Sequence, residues 1–300
     1  MILKSDVRDI LVIIFFTLLK TSARKPGAAS KIFVSIFFTD NEFLIFGAII
    51  GSNNQTHERK LTMDLFETIK QRHSVRQYED KKLEPEKRTR LLEEAGRINR
   101  EAHLHIQLLF DEPKCFNSLM AHYGKFSGVQ NYIALVGPKA PDLDEKCGYY
   151  GEQLVLLAQS LGLNTCWVAM THGKSAARIL KGEKQTCLIA LGYGKTQGTA
   201  HKSRSMEEVT ALNGPMPEWF RRGMESVLLA PTAMNQQKFK FTLSGQPASA
   251  QISGGACTVK DPSKLEECIY AAPSGTGFYT KIDLGIVKYH FEAVTGKKVL

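Results

Sequence analysis

The chain has 300 residues, of which 43% are hydrophobic and 23% are charged, and it contains 24 glycines and 11 prolines. This composition is that of an ordinary globular protein, so it excludes a disordered chain, a collagen, a coiled coil and a polytopic membrane protein. The net charge of +9 is spread along the chain. It indicates nucleic-acid binding only weakly and suits an anionic small ligand equally well, so we expect no nucleic-acid partner.

The first sixty residues differ in character from the rest. An apolar stretch at 10–19 is too short to span a bilayer, and the acidic residues Asp40 and Glu42 interrupt a second apolar stretch at 31–50. A signal peptide is one interpretation, because basic residues precede the first stretch and small residues follow it. We prefer the hypothesis that translation begins at Met63, which makes 1–62 an upstream extension outside the fold. A cytoplasmic protein without stable membrane association would follow.

The remainder of the chain alternates between helix-like and strand-like patterns. Helices are predicted at 63–72, 85–96, 148–161, 205–211, 217–229 and 285–295. Strands are predicted at 104–110, 132–136, 187–192, 238–243 and 277–282. We expect an α+β fold in which a mostly antiparallel sheet is flanked by helices.

Cysteine and histidine spacing favours no metal site. The six cysteines include no C-x-x-C pair, and Cys166 and Cys187 lie in apolar runs, which predicts buried free thiols and a reducing compartment. His103 and His105 alternate on a predicted strand and would share one face. We expect two half-exposed strand histidines, because no further ligands can be placed.

Two stretches of similar layout suggest an internal duplication. The segments 95–100 and 230–236 each follow a helix-like stretch and precede a strand-like run. A glycine-bracketed helix then begins 56 residues after Ala95, at Gly151, and 55 residues after Ala230, at Gly285. Residue identity is low, so two unrelated units remain the alternative.

A duplicated chain would be a fused pseudo-dimer. Its halves would be 63–204 and 205–300, packed as one domain. The binding site would lie between the halves, as it does between the subunits of a symmetric dimer.

Two basic segments are candidate ligand sites. Arg72-His73-Ser74-Val75-Arg76 follows the first predicted helix, and His201-Lys202-Ser203-Arg204 follows an apolar strand. Each is compatible with a solvated surface cluster or with an anion site, because guanidinium groups are forked, permanently charged donors to phosphate.

These segments resemble the nitroreductase family of FMN flavoproteins. Residues 72–76 resemble the start of that family. Residues 148–168, with Gly151-Glu152-Gln153, resemble its long central helix and following turn. Lys202-Ser203-Arg204 resembles its late basic pair, and residues 230–237 resemble its Ala-Pro-Ser-x-x-Asn-x-Gln motif. This last motif lies late in the chain, as in a divergent branch of thermophile-type nitroreductases that the sequence resembles. Its late position also agrees with two fused halves.

The resemblance implies an FMN-dependent NAD(P)H oxidoreductase. It would transfer hydride through flavin N5 to a nitro or quinone-like small-molecule acceptor, with one FMN per monomeric chain and no catalytic acid or base. The implied FMN-binding residues are Arg72, His73, Ser74, Arg76, Lys202, Arg204, Pro231, Thr232, Ala233 and Asn235. For Arg76, an ion pair with Glu79 or Asp80 is the alternative.

Some residues depart from the family's pattern. Thr232 replaces the usual serine and Lys238-Phe239 replaces Pro-Trp, which leaves the substrate undetermined. The aromatic residues Tyr149, Tyr150, Trp167, Trp219 and Phe220 either stack near the flavin or pack in the core. A non-enzymatic flavin-binding or redox-sensing protein is the alternative function, and a membrane-attached protein is a third.

Overall fold

The computed structural model describes residues 65–212, 214–244 and 268–300, together with the backbone of two strands nearer the N-terminus. Contacts divide the chain into two units, 1–60 and 61–300. In the first unit, β1 (Ile32–Phe38) pairs antiparallel with β2 (Phe43–Ile49). The signal-peptide interpretation and the start at Met63 lie outside the described residues. None of the described helices is long and apolar enough to cross a membrane.

The second unit alternates helices with short strands. Its helices are α1 (65–71), α2 (Pro85–Ala102), α3 (Leu119–Tyr123), α4 (Leu143–Ser160), α5 (Met206–Val209), α6 (Glu218–Val227) and α7 (Thr280–Thr295). Its strands are β3 (Gln107–Leu109), β4 (Asn131–Pro138), β5 (Asn164–Val168), β6 (Glu183–Gly192), β7 (Thr210–Leu212), β8 (Phe239–Ser244) and β9 (Cys268–Pro273).

The strands form two sheets. Four strands pair antiparallel in the order β3-β4-β6-β5, and a second sheet has the order β7-β8-β9, in which only β7 and β8 run parallel. Alternate residues of β4 enter two different cores, with Ile133 and Leu135 on one face and Tyr132 and Ala134 on the other. This confirms the predicted α+β fold with a mostly antiparallel sheet flanked by helices.

The predicted strand at 277–282 is wrong. Gly275 and Tyr279 both have positive φ, 137° and 62°, and they turn the chain into α7, which begins at Thr280. The edge strands β5 and β9 had no predicted counterpart. The predicted helix at 205–211 is shorter, because the capping box of Ser205 and Glu208 starts α5 and the chain becomes extended at Thr210.

Helix α2 continues past its predicted end at residue 96. Leu91, Ala95 and Ile98 repeat the buried face of the helix across Gly96, and this packing outweighs the low helix propensity of glycine. The helix ends at His103 with φ of 53°, and β3 begins only at Gln107. The expectation that His103 and His105 share a strand face is therefore wrong.

Helices α4 and α7 approach each other at two glycines. A Cβ atom at Gly148 would overlap the carbonyl oxygen of Ile282, and one at Gly285 would overlap the carbonyl oxygen of Glu145. The two helices thus make reciprocal contacts, which is the pattern of a helix pair related by a two-fold axis. The division into halves at residue 204 remains a prediction.

Candidate functional site

An open cleft brings together parts of the chain that are distant in sequence, and its cavity has a volume of about 120 Å³. The cleft is lined by Ser74, Arg76, Cys166, Trp167, Val168, Ala169, Cys187, Pro231, Thr232, Ala233, Met234, Tyr279, Ile282, Asp283 and Ile286. Five of the sequence-predicted ligand residues are therefore in one place, namely Ser74, Arg76, Pro231, Thr232 and Ala233.

The segment that carries Ser74 and Arg76 is held against the edge of the first sheet. The amide of Val75 donates to the carbonyl of Thr165 on β5, with an N···O distance of 3.0 Å, and Val75 itself is buried. The Arg76 guanidinium is exposed and lies 5.9 Å from the ring centroid of Phe126. Among the described ion pairs, none joins Arg76 to an acid, so the alternative pairing with Glu79 or Asp80 is not seen.

The 231–237 loop also lines the cleft, through residues 231–234, and it has an unusual backbone conformation. Met234, Asn235 and Gln237 have φ values of 50°, 55° and 46°. Non-glycine residues rarely adopt such values, and they occur together where surrounding contacts impose them. One such contact is internal, because the amide of Gln237 donates to Thr232 Oγ1 at 3.1 Å.

The basic segment 202–204 is joined to the same loop through the buried side chain of Gln237. Its amide oxygen accepts from the Arg204 amide at 2.8 Å, and its amide nitrogen donates to the Lys202 carbonyl at 2.9 Å. Asn235 also donates to that carbonyl. The side chains of Lys202, Arg204 and Asn235 are exposed and do not belong to the lining of the cleft as the described residues define it.

Arg72 is buried rather than open to the cleft. It is 3% exposed, and its Nη2 donates to the Leu229 carbonyl at 3.2 Å. Its Nε lies 3.9 Å from Glu152 Oε1 and has no hydrogen-bond partner. Burial lowers the pKa of Arg72, while the nearby Glu152 carboxylate acts in the opposite direction. The guanidinium is therefore already engaged inside the protein.

Glu152 is the centre of a buried polar network that reaches the cleft. One carboxylate oxygen accepts from Trp167 Nε1 at 2.9 Å, and the other lies 2.9 Å from His290 Nε2. His290 Nδ1 faces the Ser226 carbonyl at 2.9 Å, and a carbonyl only accepts, so Nδ1 carries a proton. The sequence resemblance drew attention to Glu152 but gave no indication of His290.

His73 and His201 lie beside Arg72. Burial lowers the pKa of both histidines, and the charge of Arg72 lowers it further. His201 Nε2 and Ser203 Oγ both lie within hydrogen-bond distance of the Leu228 carbonyl, at 3.0 and 2.8 Å. Together with the Arg72 bond to Leu229, these groups satisfy carbonyls at the C-terminal end of α6.

Asp283 is a cleft residue that the sequence analysis missed, because it lies between the strand predicted at 277–282 and the helix predicted at 285–295. It lies in the first turn of α7 and is 3% exposed. Its Oδ1 accepts from the Ala233 amide at 2.9 Å, and its Oδ2 accepts from Gln236 Nε2 at 2.7 Å. Burial raises the pKa of Asp283 to about 6, against the opposing effect of these two bonds.

The remaining candidates divide between core and cleft. Tyr149 packs edge-on against Tyr150, and Trp219 packs against Phe220, so these four rings serve packing away from the cleft. Trp167 lines the cleft while bonding to the buried network. Cys166 and Cys187 are buried free thiols, as predicted. His105 is bonded to Glu183, and the described residues contain no cluster able to hold a metal ion.

The sequence matches the protein family described as "Putative TM nitroreductase" over residues 64–295. A "putative nitroreductase" from Thermotoga maritima MSB8 has 22% identity and a TM-score of 0.47, with 77% of this chain and 82% of that chain covered. A "putative nitroreductase in complex with FMN" from Desulfovibrio desulfuricans has 18% identity and a TM-score of 0.42, with 51% and 98% covered. No curated protein matches the chain.

Proposed function

Because this chain belongs to the nitroreductase family whose sequences match residues 64–295, we propose that it is an FMN-dependent NAD(P)H oxidoreductase. Its substrate would be a small nitro or quinone-like electron acceptor. One observation carries the proposal. Arg76 and Pro231 are 155 residues apart in the sequence, yet the two motifs that contain them line one cleft.

The residues of the cleft fit FMN. The flavin ring system is flat and apolar on its faces and polar at its edge, and the walls of the cleft are apolar at Val168, Pro231 and Ile286, while Ser74 and Arg76 are polar. Arg72 lies outside this lining, so the fit rests on the residues that face the cleft.

When bound, FMN would supply the exchange of a hydride between a nicotinamide and an acceptor. Arg76 would bind an anionic or polar edge of the cofactor by charge-assisted hydrogen bonds, and Ser74 would donate its hydroxyl. The 231–237 loop would hold the ring from the other side. Lys202 and Arg204 are exposed beside this loop and would supply positive charge for the phosphate.

We further propose one FMN per chain, bound between segments of the two predicted halves in a monomeric, cytoplasmic protein. Pro231 and Asp283 belong to the second predicted half, whereas Ser74 and Trp167 belong to the first, and all four line the cleft. This is the arrangement expected of a site between two halves.

The test is an FMN titration of the purified full chain, with the bound flavin quantified per chain, followed by NADH and NADPH oxidation with a nitro compound and with a quinone. Arg76→Ala should weaken FMN binding about tenfold or more, because hydrogen bonds to charged groups contribute about 1.5–3 kcal/mol. The matched control is Arg90→Ala, which removes an exposed guanidinium from α2.

The outcomes separate the candidate functions. Binding of one FMN together with nicotinamide oxidation supports the proposal. Binding of FMN without oxidation of either nicotinamide would leave a flavin-binding or redox-sensing protein instead. Failure of the full chain to bind FMN overturns the cofactor and the activity together, and two FMN per chain overturns the single site.

A further inference from the structure

We propose that Asp283 is the positioning residue that holds the 231–237 loop in the shape that binds FMN, and that loss of its two hydrogen bonds to this loop weakens cofactor binding. The inference rests on the proposed function for its ligand. Its structural part concerns the loop alone and can be tested without any cofactor.

The carboxylate joins α7 to the loop by both of its oxygens. Oδ1 accepts from the backbone amide of Ala233, and Oδ2 accepts from the side chain of Gln236. Between these two attachment points lie Met234 and Asn235, with φ values of 50° and 55°. Such values are unfavourable for methionine, whereas asparagine tolerates them. A conformation of this kind persists only when surrounding contacts hold it, and Asp283 supplies two of them.

The geometry requires a carboxylate and not merely a polar side chain. Gln236 Nε2 also donates to the Phe278 carbonyl at 2.8 Å, so the amide of Gln236 cannot rotate without placing its oxygen against another oxygen. An asparagine at position 283 would present a nitrogen to one of the two donors. An ionised carboxylate accepts from both at once, whereas a protonated one turns one of its oxygens into a donor group.

Among the described residues, no cation is paired with the buried Asp283. The titratable groups that line the cleft with it are Cys187 on β6, Tyr279 at the start of α7, Arg76 and Cys166. The charge of none of these described groups contributes to its pKa, which reflects burial opposed by the two hydrogen bonds. A buried charge without a counter-ion lowers the stability of the folded protein. Destabilising groups of this kind are typical of functional sites.

The first measurement is amide hydrogen exchange of the full chain without FMN, comparing wild type with Asp283→Asn. The proposal expects the Ala233 amide and its loop neighbours to exchange about tenfold faster in the variant, because exchange reports local opening. The control is Asp144→Asn, which removes a partly exposed carboxylate paired with Lys184 at 3.1 Å, and it should leave the loop unchanged.

The second measurement is the FMN dissociation constant as a function of pH. Asp283→Asn should weaken binding about tenfold at pH 7.5. Wild-type affinity should fall as pH drops through about 6, where Asp283 takes up a proton and loses an acceptor. The variant should show a smaller pH dependence, because in this range the FMN phosphate, whose second pKa is about 6, still titrates while position 283 no longer does. Gln236→Ala removes only one of the two bonds, and its effect should not add to that of Asp283→Asn.

The outcomes distinguish the two proposals. Faster exchange, with FMN binding that is weaker and depends less on pH than in wild type, supports the positioning role. Unchanged exchange overturns it, even if FMN binding weakens, because Asp283 would then act on the cofactor directly. If the Asp283→Asn variant exchanges faster but wild type does not bind FMN, the proposed function is overturned. The role of Asp283 in holding the 231–237 loop is then still supported.

Discussion

Replacing Asp283 by asparagine is expected to make the protein progressively more stable, relative to wild type, as pH rises from 4 to 7. Burial raises the pKa of this carboxyl from 3.8 to about 6 in the folded protein. The unfolded chain keeps the lower value. Between pH 3.8 and about pH 6, the carboxyl is ionised in the unfolded chain but protonated in the folded protein. The free energy of unfolding of wild type therefore falls as pH rises through this range.

The magnitude follows from the difference between the two pKa values. One pH unit corresponds to about 1.4 kcal/mol, so ionised Asp283 lowers the free energy of unfolding by about 3 kcal/mol at pH 7 and by less than about 1 kcal/mol at pH 4. The asparagine carries no such charge. Its amide nitrogen instead faces one of the two donors, the Ala233 amide or Gln236 Nε2, and this lowers the free energy of unfolding by about 1–3 kcal/mol at every pH. The difference between variant and wild type should therefore shift by about 2 kcal/mol over this range.

The assay is urea unfolding of wild type and Asp283→Asn at several pH values from 4 to 7, with the free energy extrapolated to water. The control is Asp111→Asn. Arg88 lowers the pKa of Asp111, so this variant should show a small dependence of opposite sign. A free-energy difference between Asp283→Asn and wild type that stays constant or falls from pH 4 to pH 7 would refute the reasoning.

Two further predictions concern packing and the buried network. Gly285→Ala should lower the free energy of unfolding by more than about 3 kcal/mol, because the new methyl group would overlap the backbone of Glu145. The control is Gly96→Ala on α2, where the new Cβ would be 3.5 Å from its nearest neighbour, and it should raise the free energy of unfolding by about 0.5–1 kcal/mol. Equal effects of the two substitutions would contradict the close approach of α4 and α7. Glu152→Gln should lower the free energy of unfolding by about 3–5 kcal/mol. It should also change the fluorescence of Trp167, which donates to that carboxylate, and an unchanged spectrum would argue against this bond.

Much of the fold could be predicted from the sequence because its signals are local. The apolar face of α4, with Leu154, Val155 and Ala158 buried, follows directly from helical periodicity. The same local patterns predicted the wrong element at 277–282, where a turn leads into a helix. Tyr279 in the left-handed region converts an apparent strand into the start of a helix, and no periodicity of the residues that follow reveals it.

The resemblance predicted the residues of the candidate site and placed it between the two halves, but it did not predict which side chains reach the cleft. The motifs at 72–76 and 230–237 could be identified from residue types alone, and Ser74, Arg76 and Pro231 do line one cleft. The burial of Arg72 could not be foreseen, because its surroundings come from Leu229 and other distant segments. Residue type indicates what a side chain can bond to, whereas long-range packing decides which partner it reaches.

The sequence by itself thus determined the family, the α+β class and the identity of the two cleft motifs. Only the tertiary structure decided that Asp283 reaches the loop at 231–237 and that Glu152 meets His290 across 138 positions of the chain. The physical reason is that burial and hydrogen-bond pairing are properties of the assembled core. An aspartate at the start of an apolar helix is an ordinary surface residue until the packing of α7 removes its carboxylate from water and gives it two donors.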